Sequence, residues 1–278
     1  MSSHGKASLN DVKKAPKRSE LPAADVQNFR ALLKDFLSAR DSEGRVWADA
    51  KWGVYAFYDY DGEPIYVGQT NEQLRVRVQR HLTNQRTDAV AMRILDTFEV
   101  AEVEIWPLWE YQNIAPKRKD PECFVRALYH LNQCEYTVYL DAINNSKYKA
   151  ILNEKIPPVS PRCILPPSLR KPLISERIRH EREHPDIRIA RRAEAISRLA
   201  AVARERGEVS PGLRRALVVQ AVRLTYLSAQ RLAYVEGRRE PEPTAIKVSE
   251  LVGSVLEEVA DTDDGQYAED NEDDALSD

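Results

Sequence analysis

The 278-residue sequence is poor in cysteine, methionine and glycine, with 3, 2 and 10 of each. No apolar run comes near the roughly 20 residues needed to cross a bilayer, and the charged fraction of 31% argues against a membrane-embedded chain. The opening segment MSSHGKASLNDVKK has no apolar core of a signal peptide, so a cytoplasmic protein is expected. Cys123, Cys134 and Cys163 form neither an even framework nor a CxxC pair, which points to reduced thiols and no structural zinc. No internal repeat is visible.

Charge is abundant but unevenly placed. The formal net charge of −3 hides +3 over residues 1–20, −2 over 21–169, +9 over 170–239 and −13 over 240–278. The mild total therefore does not exclude a nucleic-acid partner, because the acidity sits in one tail. That tail would screen the basic stretch, so deleting 261–278 should raise non-specific DNA affinity at low salt.

Patterning divides the chain. Residues 1–20 lack apolar periodicity and read as disordered; Val26, Phe29, Leu33, Phe36 and Leu37 give a packing helix within 21–44. Trp52 to Tyr58 and Ile65 to Val67 flank Asp61-Gly62 and predict a hairpin. Helical spacing follows over 71–85 through Leu74, Val78 and Leu82, then a third strand from Val100 to Leu108. Asp120-Pro121 opens a helix over 121–131, and Asn132 with Glu135 resembles a capping box opening another over 133–145. A core over 45–156 thus precedes a proline-rich linker at 157–173. Over 174–240, Ile189, Ala193, Ile196, Ala200 and Ala203 form one apolar stripe, with Arg188, Arg191, Arg192 and Arg198 off it. A partner helix opens at Ser210-Pro211 and carries Leu217, Ala221, Leu224 and Leu227. This basic helical region is either a solvated surface, a grip on the DNA backbone or a dimerisation face. Residues 241–278 read as an acidic, largely disordered tail.

The chemistry-bearing cluster lies between positions 53 and 81. Tyr55 and Tyr66 sit in the two hairpin strands, and Arg77 and His81 are one turn apart on the following helix. Phenols that orient water, a guanidinium that holds phosphate and an imidazole that moves a proton are the parts of a phosphodiesterase. Gly68 would let the backbone approach an anion. Arg75 and Arg80 are solvated or in contact with phosphate, whereas Tyr58 and Tyr60 read as packing.

Gly53-Val54-Tyr55 followed by Tyr66-Val67-Gly68, with Leu74, Arg77 and His81 behind, resembles the GIY-YIG nuclease family over about residues 52–155. The resemblance implies an α/β core, a three-stranded antiparallel sheet flanked by helices, here followed by an all-α region. It implies catalytic roles for Tyr55, Tyr66, Arg77 and His81, a substrate contact at the small hydroxyl position Thr70, a metal-binding glutamate and a later asparagine that contacts substrate. Glu135 with Asn153 fits better than Glu122, although their spacing is long. Asn153 could equally be a helix C-cap. One carboxylate with waters suits Mg2+ or Mn2+. The implied activity is metal-dependent hydrolysis of DNA, with a bacterial restriction or defence role favoured over repair, and Tyr55 or His81 as general base. A nucleic-acid-binding protein on a degenerate nuclease fold is the other class, and DNA is the expected partner in either case.

Overall fold

The acidic hairpin turn organises the molecule. Asp59 Oδ1 accepts the backbone N–H groups of Asp61 and Glu63 at 2.9 and 3.0 Å, and Gly62 takes φ +75°. This is a turn that Asp and Gly make at low cost. It joins β1 (Gly53–Tyr58) to β2 (Pro64–Thr70) in antiparallel register. The computed structural model describes residues 22–83, 97–114 and 119–253. The expected N-terminal tail over 1–20, the end of the helix read over 71–85 and the acidic stretch from 261 lie outside the described residues.

The sheet has four strands in the order β2-β1-β3-β4, with β3 at Glu102–Pro107 and β4 at Leu169–Pro172. The expected three-strand sheet is thus extended by a strand from inside the stretch read as a linker. Proline is tolerated there because β4 is an edge and Pro172 closes it.

Alternation splits the core into two layers. Tyr55, Phe57, Val103 and Ile105 face α1 (Ala24–Ser38) and α2 (Leu74–Thr83), which bury Phe29, Leu33, Phe36, Leu74 and Val78. Val54, Ala56, Val67 and Trp106 face α3 (Pro121–Asn145), which buries Ala127, Leu131, Val138 and Tyr139. Asp120 caps α3 by accepting from Cys123 N at 3.0 Å. The helix then runs unbroken through the expected second start. Asn132 spends its side-chain oxygen on Gln69 Nε2 at 2.9 Å, and Glu135 turns inward, so neither caps a new helix.

The C-terminal helices α4 (Glu176–Arg182), α5 (Pro185–Arg206), α6 (Pro211–Val235) and α7 (Val248–Val252) are packed onto this core. Leu173, Ile174, Ile178, Val219, Val222 and Val248 share the cluster of α1 and α2. The buried face of α5 is Arg188, Arg192, Ala195 and Leu199, one residue out of phase with the apolar stripe expected from Ile189. The cause is electrostatic. Arg192 reaches Asp59 at 2.5 Å, Arg188 reaches Asp61 at 2.7 Å and Arg191 reaches Glu99 at 3.2 Å. Arg223 on α6 donates to the carbonyls of Pro64 and Ala150 at 3.0 and 3.1 Å and lies 3.5 Å from Glu63. Much of the +9 over 170–239 is therefore neutralised inside the protein rather than displayed.

Candidate active site

β1 and β2 set the two tyrosines. The register places Tyr55 opposite Gly68 and Phe57 opposite Tyr66. A Cβ at Gly68 would fall 2.6 Å from the Tyr55 hydroxyl and 2.6 Å from Tyr66 Cε1. The space that the sequence offered to an anion is thus filled by the phenols, and glycine is required so that they can meet. Their ring centres are 6.0 Å apart and stacked.

α2 supplies the next groups. Its buried stripe of Leu74, Val78 and Leu82 fixes its rotation, and this turns His81 inward. His81 Nε2 lies 2.8 Å from the Tyr55 hydroxyl, and its ring centre is 5.3 Å from that of Tyr66. Arg77, one turn earlier and half-buried, hydrogen-bonds Tyr55. Tyr66 also hydrogen-bonds Tyr55.

Glu135 approaches from α3 across the free edge of β2. Its carboxylate accepts the backbone N–H of Gln69 and acts electrostatically on Tyr55, Tyr66 and Arg77. Glu122 is exposed on the first turn of α3, thirteen residues earlier and so about 20 Å along the axis. The structure therefore brings Glu135, not Glu122, to the tyrosines.

Burial dominates the electrostatics of the cluster. It raises Tyr55 to about 12, partly offset by the Arg77 guanidinium, and holds Tyr66 well above the ordinary phenol range. His81 is pushed down to about 3 by burial, then by Arg77 and Arg80. Glu135 is pushed up to about 8 by burial, against the Gln69 N–H and Arg77. Near neutral pH both phenols and the imidazole are uncharged, and Arg77 is the permanent charge of the set. A divalent cation bound at Glu135 would favour its ionised form. The oxygen donors here, a carboxylate and nearby phenols, fit Mg2+ or Mn2+ and offer no soft ligand.

The other expected substrate contacts each have a partner within the protein. Arg75 pairs with Asp49 at 2.6 Å and donates to the Leu37 carbonyl at 3.1 Å, tying α2 to the end of α1. Arg80 pairs with Glu72 at 3.1 Å. Thr70 Oγ1 accepts from Glu72 N at 3.0 Å and shapes the turn into α2. Asn153 is not a helix C-cap: its Oδ1 accepts from Val67 N at 2.9 Å, and its Nδ2 donates to Val67 O at 2.7 Å. Being an edge, β2 directs the backbone groups of residues 67 and 69 away from β1. Asn153 satisfies both groups of Val67, and Glu135 accepts the N–H of Gln69. The contribution of Gln69 is a main-chain N–H, which no residue pattern announces.

No curated protein and no solved structure matches the chain. Residues 51–115, which hold Tyr55, Tyr66, Arg77 and His81 but stop short of Glu135, match the family model of the GIY-YIG catalytic domain.

Proposed function

We propose that the protein is a metal-dependent endonuclease that hydrolyses DNA phosphodiester bonds. The observation that carries this reading is the convergence of Tyr55, Tyr66, Arg77, His81 and Glu135 from two strands and two helices into one electrostatically coupled cluster. Glu135 would hold Mg2+ or Mn2+, which when bound supplies Lewis acidity toward the phosphate.

The chain's own residues divide the remaining work. Tyr66 and Arg77 are the half-buried members, placed to meet a phosphodiester, while Tyr55 is wholly buried behind them. Arg77 neutralises charge that grows on the non-bridging oxygens. Neutral His81 shares a hydrogen bond with Tyr55, which is bonded in turn to Tyr66. The three hold the Tyr66 hydroxyl in place to orient an attacking water, whose proton leaves to solvent because burial and the Arg77 and Arg80 charges keep His81 neutral. Tyr55 cannot act alone as base, because burial keeps its phenol protonated. The restriction or defence role belongs to the same reading and is tested by phage plating on cells that carry the active chain against cells that carry an inactive variant.

The direct test is plasmid nicking with Mg2+. Arg77→Ala and Glu135→Ala should each lower the rate by on the order of a hundredfold or more. Activity that persists in both variants overturns this site. A wild-type chain inert on DNA and RNA of several structures would favour the nucleic-acid-binding alternative.

A further inference from the structure

We propose that His130, Cys134 and Cys163 form a structural zinc site that fastens the proline-rich segment to α3. The inference does not rest on the nuclease reading. One ligand atom from each residue lies within 4.8 Å of the other two. The Cys134 and Cys163 sulfurs are 3.4 Å apart. That separation is far beyond the roughly 2.05 Å of a disulfide, and close to the ~3.8 Å edge of a tetrahedron with Zn–S bonds near 2.3 Å.

The donors are held in place by contacts other than a metal. His130 and Cys134 are four residues apart on α3 and share a face. Cys163 comes from another segment, whose position is fixed independently. Cys163 N donates to Thr137 Oγ1 at 3.1 Å, Thr137 donates to Gln133 O at 2.7 Å, and Arg162 pairs with Asp141. The imidazole is oriented as well, since His130 Nδ1 lies 2.9 Å from the Tyr111 hydroxyl and 3.4 Å from Glu110 Oε1. Phenol and carboxylate partners of this kind set the ring of a metal-ligating histidine. Two sulfurs and one imidazole are a soft set suited to zinc and unlike the oxygen donors around Glu135. Water takes the fourth position.

Cysteine spacing pointed away from zinc because the ligands are assembled by tertiary packing, not by a local CxxC. The consequence for the fold is direct. Cys134 adjoins Glu135, so an ion at this site would fix α3 against residues 157–168 beside the active-site carboxylate.

The test uses the full chain with its affinity tag removed, purified under reductant, supplied with zinc and desalted. Zinc counted by mass spectrometry should approach about one per chain, with at least a tenfold drop in Cys134→Ser and in Cys163→Ser. Glu135→Gln should retain zinc, which separates this site from the proposed catalytic cation. Circular dichroism checks that the serine variants fold. Cobalt substitution of the wild type gives a reading independent of any variant: thiolate ligation produces charge-transfer absorption in the near ultraviolet. Wild type without retained zinc and without that absorption overturns the proposal. So does equal zinc retention in Cys163→Ser, or a metal-free Cys134–Cys163 disulfide.

Discussion

The Tyr55 hydroxyl lies 2.8 Å from His81 Nε2, and both groups are buried, Tyr55 completely and His81 to 9% exposure. The hydrogen bond joins a strand to a helix across 26 residues of sequence. His81 is a poor proton carrier in its own right, since burial and the Arg77 and Arg80 charges hold its pKa near 3.

Opposite pH dependences of stability follow from His81 and Glu135. Unfolded His81 takes up a proton below its ordinary 6.5, while the folded form resists to about 3. Stability contributed by His81 therefore falls as pH drops through that window, by at most about 1.4 kcal/mol per unit. Folded Glu135 keeps its proton up to about 8, whereas the unfolded carboxyl releases it above 4.5. Its contribution falls as pH rises from 4.5 to 8. Urea unfolding in EDTA should show the alkaline-side decline vanish in Glu135→Gln and the acid-side decline shrink in His81→Gln. Mg2+ should flatten the alkaline side for wild type. Unchanged profiles in both variants would refute the burial that underlies these shifts.

Gly68→Ala tests the meeting of the phenols. The added methyl would fall 2.6 Å from both the Tyr55 hydroxyl and Tyr66 Cε1. Either ring must move, at a cost of about 1–3 kcal/mol in stability. Denaturant midpoints and nicking rates should fall together, because the displaced groups are those of the site. A variant as stable and as active as wild type would mean that the phenols do not pack as described.

Asn153 acts through the edge of β2. Asn153→Ala leaves the N–H and C=O of Val67 without their partner, and each unsatisfied buried group costs about 1–3 kcal/mol. Amide exchange at Val67 should accelerate more than at β1, which remains paired on both sides. Equal protection in variant and wild type would show that the edge is closed by something else.

The legible parts of the sequence were those set by local pattern. The Asp61-Gly62 turn, the stripe of Phe29, Leu33 and Phe36, and the position of Tyr55, Tyr66, Arg77 and His81 on hairpin and helix follow from short-range spacing. What escaped depends on long-range partners. Asn132 looked like a helix start until Gln69 engaged it. The partners that Arg75, Arg80, Thr70 and Asn153 find within the protein, Asp49, Glu72 and Val67, are distant or backbone groups that local spacing does not reveal. The buried face of α5 was missed by one residue because hydrophobicity ranks arginine outside, and only the carboxylates of another element bring it in.

Those carboxylates supply the last prediction. Arg192 and Asp59 are 7% and 3% exposed at the side chain and meet at 2.5 Å, with Arg188 3.5 Å from the same carboxylate. Asp59 also accepts the turn N–H groups of Asp61 and Glu63, so it links the hairpin to α5. Asp59→Ala leaves Arg192 buried without its principal counter-charge and should cost about 3–5 kcal/mol, and Arg192→Met should cost a similar amount. The double replacement should cost clearly less than the two singles added together, since it removes both charges and refills part of the volume. A double-mutant cycle read by urea unfolding decides this. Additive losses would mean that the two residues act separately, and α5 would then be held to the hairpin mainly by its apolar contacts at Ala195 and Leu199 and by Arg188.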